Sequence, residues 1–91
     1  MVYSGLGQIN EALSYHSKAL VIQEKTLPAN HLNLANCYNY IGRIYFSMGN
    51  YSQALSHLER SLNIREQTLP SDHPDLLDVR RIVEILRKML L

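Results

Sequence analysis

The feature that most constrains this chain is an internal repeat. Sliding the sequence against itself by 42 residues sets residues 3–34 against 45–76, with 13 identities in 32 ungapped pairs. Chance at ordinary composition gives about two. The identities cluster. Ala12-Leu13-Ser14 meets Ala54-Leu55-Ser56, Thr26-Leu27-Pro28 meets Thr68-Leu69-Pro70, and Leu20, Ile22, Glu24, His31 and Leu34 meet Leu62, Ile64, Glu66, His73 and Leu76. A copied unit must fold the same way twice and bury its apolar face on its neighbour. Past residue 34 the identity stops, because nothing in 35–49 matches 77–91. Two readings fit that loss: a terminal unit that turns a polar face to water, or a piece of a longer array whose next repeat differs. Met1 stands opposite Arg43, so the first unit is expected to enter with its leading helix already half finished.

Hydrophobic spacing assigns the unit to helices. Ile9, Leu13, Leu20 and Ile22, with Ala12, Tyr15 and Ala19, recur at helical spacing and predict a helix over 9–25, with Gly7 as a breaker before it and Pro28 after it. Leu34, Cys37, Tyr38, Ile41, Ile44, Tyr45 and Met48 predict a second helix over 33–48. Gly49-Asn50 reads as a tight turn, and a third helix covers 51–67. After the Leu69–Pro74 connection, with Asp72 or His73 as the N-cap, a fourth helix covers 75–90. No stretch alternates with period two, so the fold class is all-α.

Composition removes several function classes. Nine basic and eight acidic side chains give a net charge of +1, and the signs balance along the chain. No basic block offers the footprint that nucleic acid or an anionic membrane needs. The longest apolar run is four residues, 19–22, too short to span a bilayer. One cysteine forms no internal disulfide. With no signal-peptide pattern at the start, a soluble, cytoplasmic chain is expected.

Tyr38-x-x-Ile41-Gly42-x-x-Tyr45-x-x-x-Gly49-x-Tyr51-x-x-Ala54-x-x-x-Leu58-x-x-Ser61 resembles the tetratricopeptide repeat. That resemblance implies a solenoid of antiparallel helix hairpins, here about two repeats in one domain over 1–91. A partial repeat would cover 1–25, a full repeat 33–67, and a capping helix 75–90. Gly42 would let two helix backbones approach closely, with Ala54 at their crossing. The usual period is about 34 residues. The longer period here, with Thr-Leu-Pro closing one helix and His73-Pro74 opening the next, is similar to the 42-residue repeats of kinesin light chains. No heptad segment of the kind that joins those chains to a motor is present, so motor assembly is not carried over. The fourth helix departs from the pattern, with Arg80, Glu84 and Arg87 at the places of Tyr38, Gly42 and Tyr45. Glu84 would hold a following helix away, which agrees with a cap.

Catalytic and metal chemistry find little support. His31 and His73 are equivalent loop residues read as caps or loop packing, while His16 and His57 read as exposed surface; no pair has zinc-ligand spacing. Cys37 lies on an apolar-periodic helix and reads as a small buried side chain. Gly5 and Gly7 match the turn at Ser47 and Gly49 and do not form a phosphate loop. Neither a nucleophile elbow nor a carboxylate pair occurs. The chain therefore reads as a non-enzyme that needs no cofactor.

In stacked helix pairs the first helix of each pair lines the concave face, where extended peptides bind. On the helix over 33–48 the polar stripe is Asn36, Asn39, Tyr40, Arg43 and Ser47; on the last helix it is Asp78, Arg81, Ile82, Ile85 and Lys88. Asparagine amides suit a ligand's peptide groups, and Arg43, Arg81 and Lys88 suit acidic side chains. The expected function is a protein–protein interaction scaffold, a kinesin-light-chain-like cargo or adaptor module that holds an acidic segment in a groove of Asn36, Asn39, Tyr40, Arg43, Asp78, Arg81 and Lys88. The alternative is a regulatory or oligomerising repeat arm of a larger signalling or enzymatic protein.

Each unit of such an array rests on its neighbours, so the helix over 9–25 is expected to expose part of its Leu13, Leu20 and Ile22 face. Sedimentation should then show a marginal monomer that self-associates, and an added upstream helix should suppress the association. A stable monomer with a high melting temperature contradicts this.

Overall fold

The computed structural model describes residues 6–91. They form four helices: α1 (Leu6–Thr26), α2 (Leu32–Ser47), α3 (Tyr51–Thr68) and α4 (Pro74–Met89). No strand occurs among the described residues. The helix end expected over 1–6, and Gly5 with it, lies outside the described residues, except that Leu6 already opens α1.

The helix boundaries follow from capping chemistry. His31 and His73 precede α2 and α4 in extended conformation, and their Nδ1 atoms accept from the Asn33 and Asp75 N–H groups at 3.0 and 3.1 Å. Each imidazole thus satisfies a donor that the helix itself cannot. Pro74 fits the first turn of α4, where its missing N–H costs nothing. Gly49 adopts φ +82° in the turn between α2 and α3, a conformation open to glycine. Its equivalent Gly7 does not break the chain as the sequence suggested; it lies within the described part of α1. A glycine within a helix is tolerated at the cost of its lower propensity, about 1 kcal/mol relative to alanine.

Each helix packs on the next, and the apolar side chains form two cores. One joins Leu20 of α1 to Leu34, Ala35, Cys37, Tyr38 and Ile41 of α2 and Ile64 of α3. The other joins Ala54, Leu58 and Leu62 of α3 to Leu76, Val79, Val83 and Leu86 of α4. The repeat is visible in this division. Leu20 and Leu62 are equivalent, and each turns toward the helix that follows. Ile22 and Ile64 are also equivalent, and Ile64 turns toward the helix that precedes it. Ile64 has α2 there and is 5% exposed, whereas Ile22 has no described helix before it and is 62% exposed. Of the face expected to be open on α1, then, Leu20 is buried, Leu13 half-buried and Ile22 uncovered.

The tightest contact lies between α2 and α3. A Cβ built on Gly42 would come within 2.6 Å of Leu58 Cγ and 3.3 Å of the Ala54 carbonyl oxygen. Ser61 Oγ, fully buried, donates to the Ala35 carbonyl at 2.9 Å and ties the same two helices. On α4, where the pattern has tyrosines, Arg80 and Arg87 instead pair with Glu66 and Glu59 of α3 at 3.5 and 3.0 Å.

Gly42→Ala should therefore lose about 1–3 kcal/mol through overpacking, despite the better helix propensity of alanine. Gly7→Ala meets nothing within 4 Å and should leave stability unchanged or raise it by up to about 1 kcal/mol. Urea denaturation compares the two; equal midpoints would refute the close approach.

Candidate functional site

α2 and α4 both pack against α3, and their polar stripes carry the residues expected to bind a partner. Side-chain geometry divides those residues into four groups.

Arg43 and Asp78 pair with each other. Arg43 Nη2 donates to Asp78 Oδ2 at 3.0 Å, across from α2 to α4. Their side chains are 49% and 60% exposed, so the pair adds only about 0–1 kcal/mol and yields readily to a competing charge. Arg81 is exposed and, with Pro74, Asp75, Leu77 and Asp78, lines a shallow hollow of about 410 Å³. Lys88 is exposed further along α4. Neither Arg81 nor Lys88 has an ion-pair partner among the described residues.

Asn36 and Tyr40 border a cleft of about 250 Å³ between α1 and α2, together with Tyr15, His16, Gln23 and Asn33. Asn36 Oδ1 accepts from Arg65 Nη2 at 2.8 Å. The Tyr40 ring stacks on His16, with centroids 5.2 Å apart and planes 23° apart, and Tyr15 meets the same imidazole edge-on. Asn39, by contrast, is half-buried, and its Oδ1 has no hydrogen-bond partner.

Several residues of this region were not singled out from the sequence. Arg65 is 6% exposed. Burial lowers its pKa from the ordinary arginine value; Asp75 and Asp78 oppose that shift, and Arg43 adds to it. The guanidinium stays charged and is held by Asn36 beneath the polar stripe. Its equivalent is Gln23, whose Oε1 is buried without a partner. The variable 23/65 position in an otherwise similar segment was the available signal. His16 and His57 also differ from expectation, since both are half-buried. His57 Nδ1 lies 2.9 Å from the Gln53 carbonyl, and its ring stands 5.4 Å from Tyr45. Aromatic neighbours on α2 cover both imidazoles, which a single-helix period does not report.

Cys37 is buried, with Sγ 3.4 Å from the His16 carbonyl oxygen. Burial, and then the charge of Glu24, push its thiol up from the usual cysteine range. Among the described residues no group of three or more histidine, cysteine or acidic side chains could hold a metal ion. No described helix is long and apolar enough to cross a membrane.

The family model for the tetratricopeptide repeat matches residues 1–67. The match takes in α1, α2 and nearly all of α3, and α4 follows it. No curated protein matches the chain.

The position of Cys37 has a chemical consequence. A scarce thiolate and a closed core both slow attack, so labelling by a thiol reagent should run more than about tenfold slower in the folded chain than in denaturant. Comparable rates would place the thiol at the surface.

Proposed function

Since the chain belongs to the tetratricopeptide repeat family, whose repeats are protein–protein interaction scaffolds, we propose that its α2–α4 face binds an extended partner peptide. The single observation that carries this reading is the Arg43–Asp78 contact, which spans two helices and makes their polar stripes one continuous surface. A peptide lying across it meets Asn36 and Asn39 amides for its backbone and Arg81 and Lys88 for acidic side chains. A ligand carboxylate can also take Arg43 from Asp78, exchanging one exposed ion pair for another. An acidic segment is the partner chemistry this surface favours, in a cytoplasmic adaptor resembling the kinesin light chain repeats.

On this reading 1–25 is a partial repeat, 33–67 a full one and 75–90 a cap. The Arg80–Glu66 and Arg87–Glu59 pairs support the cap, because they give α4 a charged seam in place of a tyrosine one. The exposure of Val21 and Ile22 favours a second reading, a regulatory or oligomerising arm of a larger protein in which another helix covers α1.

An array of acidic and basic peptides tests the groove. Arg43→Glu with Arg81→Glu should weaken acidic peptides by more than about fivefold, the equivalent of an exposed ion pair. Asp78→Asn, which frees Arg43, should strengthen them, and added salt should weaken them. Indifference to peptide charge, or unchanged binding in the double variant, would leave only a solvated helix face.

A further inference from the structure

The connections that lead into α2 and α4 carry the same cap in different electrostatic settings. His31 and His73 each accept a backbone N–H at Nδ1, from Asn33 and Asp75, at 3.0 and 3.1 Å. A neutral imidazole that accepts at Nδ1 carries its hydrogen on Nε2. The lone pair that would take a further proton is therefore the one the helix already uses. Protonation sets a donor against a donor, and it adds a positive charge at the positive end of the helix dipole.

The surroundings of the two rings differ by one consistent substitution. Asp72, Asp75 and Asp78 stand next to His73 in the chain, and the residues 42 before them are Asn30, Asn33 and Asn36. Asp72 and Asp75 have no ion-pair partner among the described residues, while Asp78 pairs with Arg43. A cationic ring at 73 thus has two uncommitted carboxylates beside it, and Arg65 of α3 opposes it. About the first connection the charged groups are Glu24 and Lys25 in the last turn of α1 and Arg65 and Glu66 in that of α3; the first turn of α2 has none. Glu24 accepts from the Tyr38 hydroxyl and Glu66 pairs with Arg80. No uncommitted carboxylate is left there to offset an imidazolium.

We propose that His31 is an acid-released clasp on the α1–α2 connection. Neutral, the ring caps α2; protonated, it lets the first turn go, whereas at His73 the flanking carboxylates offset the same loss. The unfolded chain takes up this proton freely and the capped chain does not. The stability that the clasp contributes is therefore complete above the range in which histidines titrate, and it is lost as pH falls through that range. The loosening falls where α1 meets α2 and spares the α2–α3 turn at Gly49. It does not depend on what the polar face binds.

Urea denaturation of the 91-residue chain at about pH 7.5 and about pH 5.5, on either side of the histidine range, tests the clasp in wild type, His31→Asn and His73→Asn. Asparagine caps through an amide oxygen that takes no proton at these pH values, so both variants should fold. His16 and His57 are present in all three chains, so their titration cancels in the comparison. Acidification should lower the folding constant of the wild type about fivefold more than that of His31→Asn, the worth of one cap. His73→Asn should keep the wild-type loss. Nitrogen NMR gives the local readout: as His31 Nδ1 takes its proton, the Asn33 amide resonance should lose the shift that its hydrogen bond imparts. An acid response equal in wild type and His31→Asn overturns the proposal. So does a larger effect of His73→Asn, or a protonated His31 with the Asn33 amide unmoved.

Discussion

The contact between Gly42 and Leu58 sets the spacing on which the rest of the molecule depends. Any side chain at 42 would bring its Cβ within 2.6 Å of Leu58 Cγ and 3.3 Å of the Ala54 carbonyl, so without glycine there Leu58 or the α2–α3 spacing must shift. At that separation Ser61 reaches the Ala35 carbonyl and Arg65 reaches Asn36. Both bonds run from α3 to α2, and both would lengthen if the helices moved apart. Because α3 also carries Leu58 and Leu62 into the second core, the same approach fixes where α4 lies. Close packing in one hairpin therefore propagates to the relation between the two helices that share the polar face.

That face is held together by charges of different character. Arg43 and Asp78 meet at the surface and are readily exchanged, whereas Arg65 is buried and committed to Asn36. The first pair links α2 to α4 at little energetic gain. The second removes a charge from water, and loss of Asn36 would leave that buried guanidinium without its acceptor. A surface assembled in this way can change partners without disturbing its support, which suits a binding scaffold.

The two copies of the repeat show how the same local sequence meets different surroundings. Leu20 and Leu62 both find a following helix and are buried. Ile22 and Ile64 require a preceding one, and only Ile64 has it among the described residues. Gly7 and Gly49 diverge likewise, one inside α1 and the other at φ +82° between α2 and α3. The 23/65 position differs in sequence as well as setting, since Gln23 borders an open cleft and Arg65 is buried against Asn36.

Much of this architecture is legible without coordinates. The 42-residue period, helical spacing, the Gly49-Asn50 turn and the histidines before α2 and α4 are local or periodic signals. Backbone dihedrals and capping bonds act over a few residues, so four helices, their caps and the pairing glycine follow from the chain alone. Tertiary structure decided how the long side chains are used. That Arg43 spends its charge on Asp78, that Arg65 runs under Asn36, and that His16 lies against Tyr40 all depend on how neighbouring helices cross. Helical periodicity reports which face is apolar, but not which neighbour covers it or how far a guanidinium reaches across the gap. For that physical reason the sequence determined the scaffold, and only the packed helices decided which of its polar residues remain open to a ligand.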